Sequence, residues 1–307
     1  MRNEMIHTLE GLAEADPNVL LVTGDLGFGV LTRFSKRFPR QFVNAGVAEQ
    51  NMTGLAVGMA LEGKTVITYS IGNFPTLRCL EQIRNDACYH NANVKIVCIG
   101  GGFTYGSLGI SHHATEDLAI LRALPNITVI APGDPVEAAA ATRAVYDTPG
   151  TCYLRLGRGG EPRIHGSFID FRVGKAIHLF EGEDVAILST GGILKVACSA
   201  REKLEVSGLR VGLFSMHTVK PIDRDIVMEL ARTVRLIVTL EEHTVIGGLG
   251  GAVAEIIAQI PGPKANLEMI GLRDCFSSVV GDQEYLRSVY GLTADDVLSR
   301  VGARLVS

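Results

Sequence analysis

No run of about 18 apolar residues occurs in the 307-residue sequence, so no membrane-spanning helix is expected. The opening Met1-Arg2-Asn3-Glu4 lacks the pattern of a signal peptide. Charge of one sign is also scarce. The 29 Lys and Arg against 33 Asp and Glu leave a net charge of -4, which gives neither nucleic acid nor an anionic membrane a reason to bind. Six cysteines (Cys79, Cys88, Cys98, Cys152, Cys198, Cys275) lie scattered, with no Cys-x-x-Cys pair, which argues against a zinc ribbon and a disulfide framework. Their apolar or helical surroundings suit buried thiols in a reducing cytoplasm. The glycine-rich stretches match neither Gly-x-Gly-x-x-Gly nor a Walker lysine motif, so a nucleotide site is not supported.

What is present points to an α/β protein. Hydrophobic residues make up 47% of the chain and glycines number 35, as in compact, tightly turned folds, and the length suits two domains. The pattern predicts a helix over 3–15, buried strands at 19–22, 65–69, 94–99, 127–130 and 152–158, and helices at 76–90 and 136–146. A linker with a short strand or two occupies 161–182. A second unit follows, with strands at 185–188, 211–214 and 236–239 and helices between them. Each of the two α/β domains, 1–160 and 183–307, is expected to carry a mostly parallel sheet flanked by helices. The glycines at 247–251 fail the spacing of a phosphate loop, and Glu241 and Glu242 would repel a phosphate. Tight helix packing accounts for them instead.

The sharpest stretch is 43–61, in which Glu49 is the only ionisable side chain. Asn44 is placed to cap a helix, and the small and apolar residues that follow leave it no charged stripe. Such a helix is expected to be buried all round. Glu49 is then a carboxyl near a helix start in a low-dielectric place. Burial disfavours its charged form, and the positive end of the helix dipole favours it. A carboxyl so placed either pairs with an arginine or does proton chemistry.

Gly46-Val-Ala-Glu-Gln-Asn-Met52 resembles the Gly-Ile-Ala-Glu-Gln-x-Met signature of the transketolase family of thiamine diphosphate enzymes. The resemblance extends over nearly the whole chain but covers one half of a full-length transketolase. It implies a pyrimidine-binding domain at 1–160 and a transketolase C-terminal domain at 183–307. It also implies that Glu49 hydrogen-bonds a ring nitrogen of the cofactor's aminopyrimidine, favouring the imino form that deprotonates the thiazolium carbon.

Other residues take roles from the same resemblance. Asp25, in the glycine-rich loop after the first strand, matches an aspartate near the cofactor, with a plain turn aspartate as the alternative. Phe74, four residues before Arg78 of an Arg-x-x-x-Gln-Ile-Arg helix, is the first candidate to stack on the aminopyrimidine, and Tyr69 the second. Phe74 could instead be core. In Ser111-His112-His113-Ala-Thr-Glu116, His112 falls at the catalytic histidine of a Thr-His-Gln segment, where it would hydrogen-bond substrate and move protons. The alternative is a helix-capping histidine. Zinc at the two histidines is disfavoured, because adjacent side chains diverge and no third ligand is near. Arg158 matches an arginine that grips substrate phosphate. Arg155, three residues away, cannot face the same site cleanly. The chain departs from full-length transketolases in having Tyr105 and a shorter, uncharged loop where they carry a further His and acidic residues.

The family holds the diphosphate through a metal bound at a Gly-Asp-Gly motif. Here only Gly24-Asp25-Leu26, Gly133-Asp134-Pro135 and Gly281-Asp282-Gln283 come near it. The resemblance therefore implies one subunit of a split transketolase, acting on phosphorylated sugars. Its partner would be an N-terminal-type chain that brings the Gly-Asp-Gly site and with it Mg2+ or Ca2+, and two of each chain would assemble. Two other readings compete: the beta subunit of a 2-oxo-acid dehydrogenase, whose glutamate is typically followed by Gly or Met, and a non-catalytic assembly or regulatory subunit.

Overall fold

A computed structural model describes residues 1–306. Helix α1 (Arg2–Ala15) buries Met5, Ile6, Leu9 and Leu12, the stripe its spacing predicts. Strand β1 (Val19–Thr23) is buried along its whole length. Then come α2 (Thr32–Arg37), β2 (Phe42–Asn44), α3 (Glu49–Leu61) and β3 (Thr65–Ile71). The helix expected over 76–90 is irregular. A short α4 (Leu80–Gln82) joins a 3-10 turn (Leu77–Cys79) to a π-helical turn (Ile83–Cys88). The unit continues through β4 (Val94–Ile99), α5 (Asp117–Ala123), β5 (Ile127–Ile130), α6 (Pro135–Asp147) and β6 (Thr151–Leu156).

The second unit comprises β7 (Ile177–Phe180), β8 (Val185–Thr190), α7 (Leu194–Val206), β9 (Val211–Ser215), β10 (Thr218–Lys220), α8 (Arg224–Thr233), β11 (Leu236–Thr244), α9 (Leu249–Ile257), β12 (Asn266–Leu272), α10 (Gln283–Val289) and α11 (Ala294–Val306). One sheet runs β10-β5-β6-β4-β3-β1-β2 and the other β12-β11-β8-β9-β7. All pairings are parallel except those of the edge strands β10 and β7. The two mostly parallel sheets match the expected fold class.

The expected boundaries need two adjustments. β7 pairs with β9, so the segment expected as linker already belongs to the second sheet from Ile177. β10 crosses back and pairs with β5 of the first sheet. Three residues ending at a proline are too short to read as a strand, although the position before Pro favours extended backbone. The stretch between the units is also fastened. The N–H groups of Ile164 and His165 both donate to Asp134 Oδ2 at 2.8 Å.

Buried polar groups join the units. Arg155 Nε lies 2.9 Å from Asp117 Oδ2, with both side chains buried, and Tyr153 donates its hydroxyl to the same oxygen at 2.5 Å. Arg155 Nη2 also donates to Ala114 O and, across to β11, to Glu242 O. Removing one partner of such a pair strands the other charge. Asp117→Ala is therefore expected to lower unfolding free energy by about 3–5 kcal/mol in a urea titration. A loss below about 0.5 kcal/mol would show that Arg155 finds other compensation.

At α9, Glu241 accepts hydrogen bonds from the N–H groups of Leu249 and Gly250, both at 2.8 Å. A carboxylate thus already occupies this helix start. A Cβ on Gly250 would lie 2.9 Å from Thr239 Oγ1, which gives the glycine its packing role. The cysteine expectation needs correction. Cys79, Cys88, Cys98 and Cys152 are buried, Cys198 is half-buried, and Cys275 is exposed between β12 and α10. Burial pushes the Cys98 thiol up to about 12 and that of Cys88 up to about 11. Among the described residues no helix is long and apolar enough to cross a membrane.

Candidate active site

The loops after β1, β3, β4 and β6 gather at the carboxyl ends of parallel strands, where α/β sheets bind ligands. Helix α3 begins at Glu49 itself and not at Asn44. Gly46, at φ +74°, breaks the chain before the helix can start. Asn44 instead accepts from the N–H groups of Asp25 and Gly46 and donates to the Asp25 carboxylate at 3.0 Å. Asp25 is exposed at φ +55°, a turn aspartate held by Asn44. Its neighbour Gly24 lies against Glu49, with a Cβ position 3.6 Å from Glu49 Cγ.

Glu49 is only 4% exposed. Its Oε2 accepts from Arg78 Nη1 at 2.9 Å, so the arginine partner foreseen as an alternative exists. Arg78 itself is half exposed. Among the described residues the Glu49 carboxyl takes its side-chain hydrogen bond at Oε2, and none reaches Oε1. The helix is not buried all round, because it packs on the sheet with one side alone. Met52, Thr53, Ala56, Val57 and Ala60 face inward, while Asn51, Gly54, Leu55, Gly58 and Leu61 are exposed. An uncharged face is left open.

The remaining side chains form a continuous run. Arg78 Cζ sits 4.4 Å from the Phe74 ring centre, and Phe74 meets the His112 ring edge-on at 5.2 Å. His112 is 6.3 Å from the Tyr105 ring, and Arg158 Cζ lies 5.9 Å from that same ring. Tyr69, the second stacking candidate, has no open face. It is 3% exposed within the apolar layer around Leu31 and Phe34, and burial pushes its phenol far above the ordinary range. Phe74 is half-buried and keeps part of its ring accessible.

The adjacent histidines diverge. His113 is buried against Phe103, with Nε2 3.2 Å from Gly106 O. His112 is half-buried, its Nδ1 3.0 Å from Ser111 Oγ. Burial, helped by neighbouring His113, holds His112 below the usual imidazole range, so the neutral ring dominates at neutral pH. Arg155 is consumed by its buried ion pair, whereas Arg158 is exposed and, among the described residues, has no carboxylate partner.

Two groups escaped the sequence reading. Arg2 Nη2 comes within 3.9 Å of the Cβ position on Gly159, and its charge acts on Tyr105. Among the described residues its side-chain hydrogen bond goes to Asn3. Arg2 and Arg158 therefore flank Tyr105, a pairing of residues 156 apart that the fold alone makes visible. The second group is Glu242, taken from sequence as an acid preceding a glycine loop. It is buried in β11 and accepts from Phe103 N–H at 2.5 Å, Gln283 Nε2 at 2.9 Å and Arg287 Nε at 2.6 Å. Phe103 opens the loop that leads to His112. A Cβ on Gly106 of that loop would lie 2.6 Å from Gly281 O. The second unit thus supports the His112 loop from behind.

Comparison with known proteins agrees with this geometry. Residues 1–161 match the family described as transketolase, pyrimidine binding domain, and residues 174–297 that described as transketolase, C-terminal domain. A protein of Methanocaldococcus jannaschii, provisionally named a transketolase C-terminal section, is 39% identical over 304 residues, spanning 98% of this chain and 95% of that one. A 6-deoxy-6-sulfo-D-fructose transketolase subunit of a Clostridium species is 36% identical, over 97% of this chain and 92% of that one. A solved structure described as a split gene transketolase, inactive beta4 tetramer, superposes with a TM-score of 0.89 at 36% identity, covering 99% of this chain and 97% of that one. The chain belongs to the transketolase family and carries that family's pyrimidine-binding and C-terminal domains.

Proposed function

We propose that this chain is the pyrimidine-domain subunit of a split, thiamine diphosphate-dependent transketolase that moves a two-carbon ketol unit between phosphorylated sugars. The observation that carries this reading is the unbroken run of contacts from Glu49 through Arg78, Phe74, His112 and Tyr105 to Arg158. It sets a nearly buried acid, an aromatic face, a neutral imidazole and an exposed guanidinium in the order such a transfer needs. The residues fit the pyrimidine end of the cofactor. Glu49 Oε1, which no hydrogen bond reaches among the described residues, is free to hold a proton toward a ring nitrogen, and the accessible ring of Phe74 suits a flat heterocycle. Bound thiamine diphosphate supplies the electron sink for the cleaved carbon–carbon bond. His112 accepts a hydrogen bond from, or takes a proton off, a substrate hydroxyl. Arg158, with Arg2 beside it, anchors the anionic end of the sugar. A relative named for a sulfonated sugar accords with a site that grips an anion.

Among the described residues no group of three or more His, Cys, Asp or Glu is placed to hold a metal. The proposal therefore assigns Mg2+ or Ca2+, with the diphosphate, mainly to an N-terminal-type partner carrying Gly-Asp-Gly, in an assembly of two of each chain. The cysteine usage points to the cytoplasm as its place. Co-expression with such a partner, followed by a ketol-transfer assay on phosphorylated sugars, tests the proposal. Co-purification without transfer activity would favour an assembly subunit, and activity on 2-oxo acids the dehydrogenase reading.

His112→Ala is expected to lower kcat by about 10^2-fold or more while leaving cofactor affinity within a few-fold. Because burial favours the neutral ring, the acid limb of the wild-type rate profile should fall below the ordinary histidine range and vanish in the variant. Equal loss of cofactor binding by calorimetry would make His112 a cofactor or structural residue.

A further inference from the structure

The loop that carries His112 is closed at its neck by two backbone hydrogen bonds. Gly102 N–H donates to Ala114 O at 2.8 Å, and Ala114 N–H donates to Gly102 O at 3.1 Å. The next residue, Phe103, gives its N–H to the Glu242 carboxylate of β11 at 2.5 Å. The approach is so close that a Cβ on Gly102, at φ +64°, would collide with that carboxylate. The Glu242 backbone reaches the other side of the neck. Arg155 Nη2 donates both to Glu242 O at 3.0 Å and to Ala114 O at 2.7 Å.

The carboxylate is aimed from behind. Gln283 and Arg287, one turn apart on α10, donate to it at 2.9 and 2.6 Å. Both belong to the second unit, so their bonds fix where the carboxylate points. Among the described residues, the bond to Phe103 is the one hydrogen bond of this carboxylate that crosses to the first unit. Past the neck the loop has little slack. The buried Phe103 ring lies against Tyr290 of the second unit at 5.4 Å and meets His113 edge-on at 5.1 Å. His113 in turn has Nε2 3.2 Å from Gly106 O, and its own carbonyl accepts from Asn73 at 2.6 Å. His112 is the neighbour of that wedged residue, so a displacement at Phe103 passes to it through packed rings.

We propose that Glu242 is a positioning residue: by holding Phe103 N–H it sets where the His112 imidazole stands. The C-terminal domain thereby takes part in the reaction through this one carboxylate, without touching substrate. The inference rests on His112 being the substrate-facing imidazole of the function proposed above.

Two substitutions separate placement from stability. Glu242→Asp keeps the charge for Arg287, whose long side chain follows a carboxylate one methylene shorter. It withdraws from Phe103 N–H, which the neck pins. Glu242→Gln does the reverse, because its carbonyl oxygen still accepts from Phe103 while the charge that Arg287 faces is gone. The urea midpoint should therefore fall more in Glu242→Gln, and the loop should be disturbed more in Glu242→Asp.

The first readout needs neither cofactor nor partner, so it stands apart from the proposed activity. In the full chain, amide hydrogen exchange over 103–113 should quicken about tenfold in Glu242→Asp and about threefold or less in Glu242→Gln. The His112 ring signals in an NMR spectrum should move in Glu242→Asp and stay in place in Glu242→Gln. Exchange that is unchanged in Glu242→Asp, or that follows the urea midpoint across both variants, overturns the proposal.

The second readout is ketol transfer by the reconstituted complex. Glu242→Asp is expected to lower kcat by about tenfold or more with KM within a few-fold, as a misplaced reacting group does. Glu242→Gln should keep most of the rate although it is the less stable variant. Leu204→Ala, which opens a cavity in the core of the same domain, controls for lost stability and should keep kcat. Rates that rank with the urea midpoints would make Glu242 a structural ion-pair partner and overturn the proposal. If no complex transfers a ketol unit while the exchange and ring signals respond as stated, the placement of His112 by Glu242 stands and the transketolase reading falls.

Discussion

Glu49→Gln is expected to leave the fold intact and lower turnover of the reconstituted enzyme by about 10^2- to 10^4-fold, the span that positioned proton transfer contributes. The amide is isosteric and its carbonyl oxygen can still accept from Arg78, so the contact that orients this side chain survives in weakened form. What it cannot do is carry an exchangeable proton between Oε1 and a ring nitrogen. Arg78 is half exposed, so its lost ion pair should cost about 1 kcal/mol or less. Two outcomes are thereby separated. If Glu49 serves only the ion pair, Glu49→Gln shifts the urea midpoint slightly and turnover at saturating cofactor stays near wild type. If Glu49 is the proton-handling acid, the midpoint hardly moves and kcat collapses. The measurement is kcat at saturating thiamine diphosphate beside an unfolding curve on the same preparation. A rate within a few-fold of wild type would remove Glu49 from the chemistry.

How much of this was legible in the sequence depended on what kind of signal each feature leaves. Local periodicity and local chemistry were enough for α1, for the buried parallel strands, and for Glu49 as the lone acid in a small-residue helix. They failed wherever one element is defined by another far away in the chain. β10 is a strand because β5 offers it an edge, and three residues carry no period of their own. The start of α3 slipped by four residues, its cap being Ala48, because Asn44 has two possible clients. It took the loop at Asp25 once Gly46 adopted positive φ. The same limit applies to the site. Phe74, His112 and Arg158 lie on loops whose motifs can be read one at a time, whereas Arg2 gains its meaning only from Gly159 and Tyr105 beside it. Tyr69 shows the converse: an aromatic at a strand end reads as a stacking platform until the layer beneath closes over it. Glu242 left a misleading signal, since an acid before a glycine loop says nothing of an N–H group on the opposite domain.

The chain by itself is expected to bind thiamine diphosphate weakly or not at all and to show no ketol transfer. The pyrimidine end can find Glu49 Oε1 and the face of Phe74 here, worth together on the order of a few kcal/mol. Association costs about 4 kcal/mol or more in lost translation and rotation, so these contacts alone leave little net affinity. The diphosphate and its metal would add the strongest contacts, charge-assisted hydrogen bonds and coordination, and those are assigned to the partner. The surface around the site argues the same way. Phe28 is 80% exposed and Val47 75% exposed beside the Glu49 turn, and Leu108 and Ile110 are exposed beside His112. The open face of α3 adds Leu55 and Leu61 flanking Gly54 and Gly58, without a charge among them. Apolar surface of that extent is stabilised by being covered. Self-association of this chain would cover part of it, but a second copy brings no Gly-Asp-Gly metal site, so such an oligomer should remain inactive. The test is calorimetric titration of the purified chain with thiamine diphosphate and magnesium, its mass in solution being measured in parallel, before and after an N-terminal-type partner is added. Binding and turnover should appear together on that addition. Micromolar affinity with measurable sugar turnover from this chain alone would place the diphosphate site within it and end the split-subunit reading.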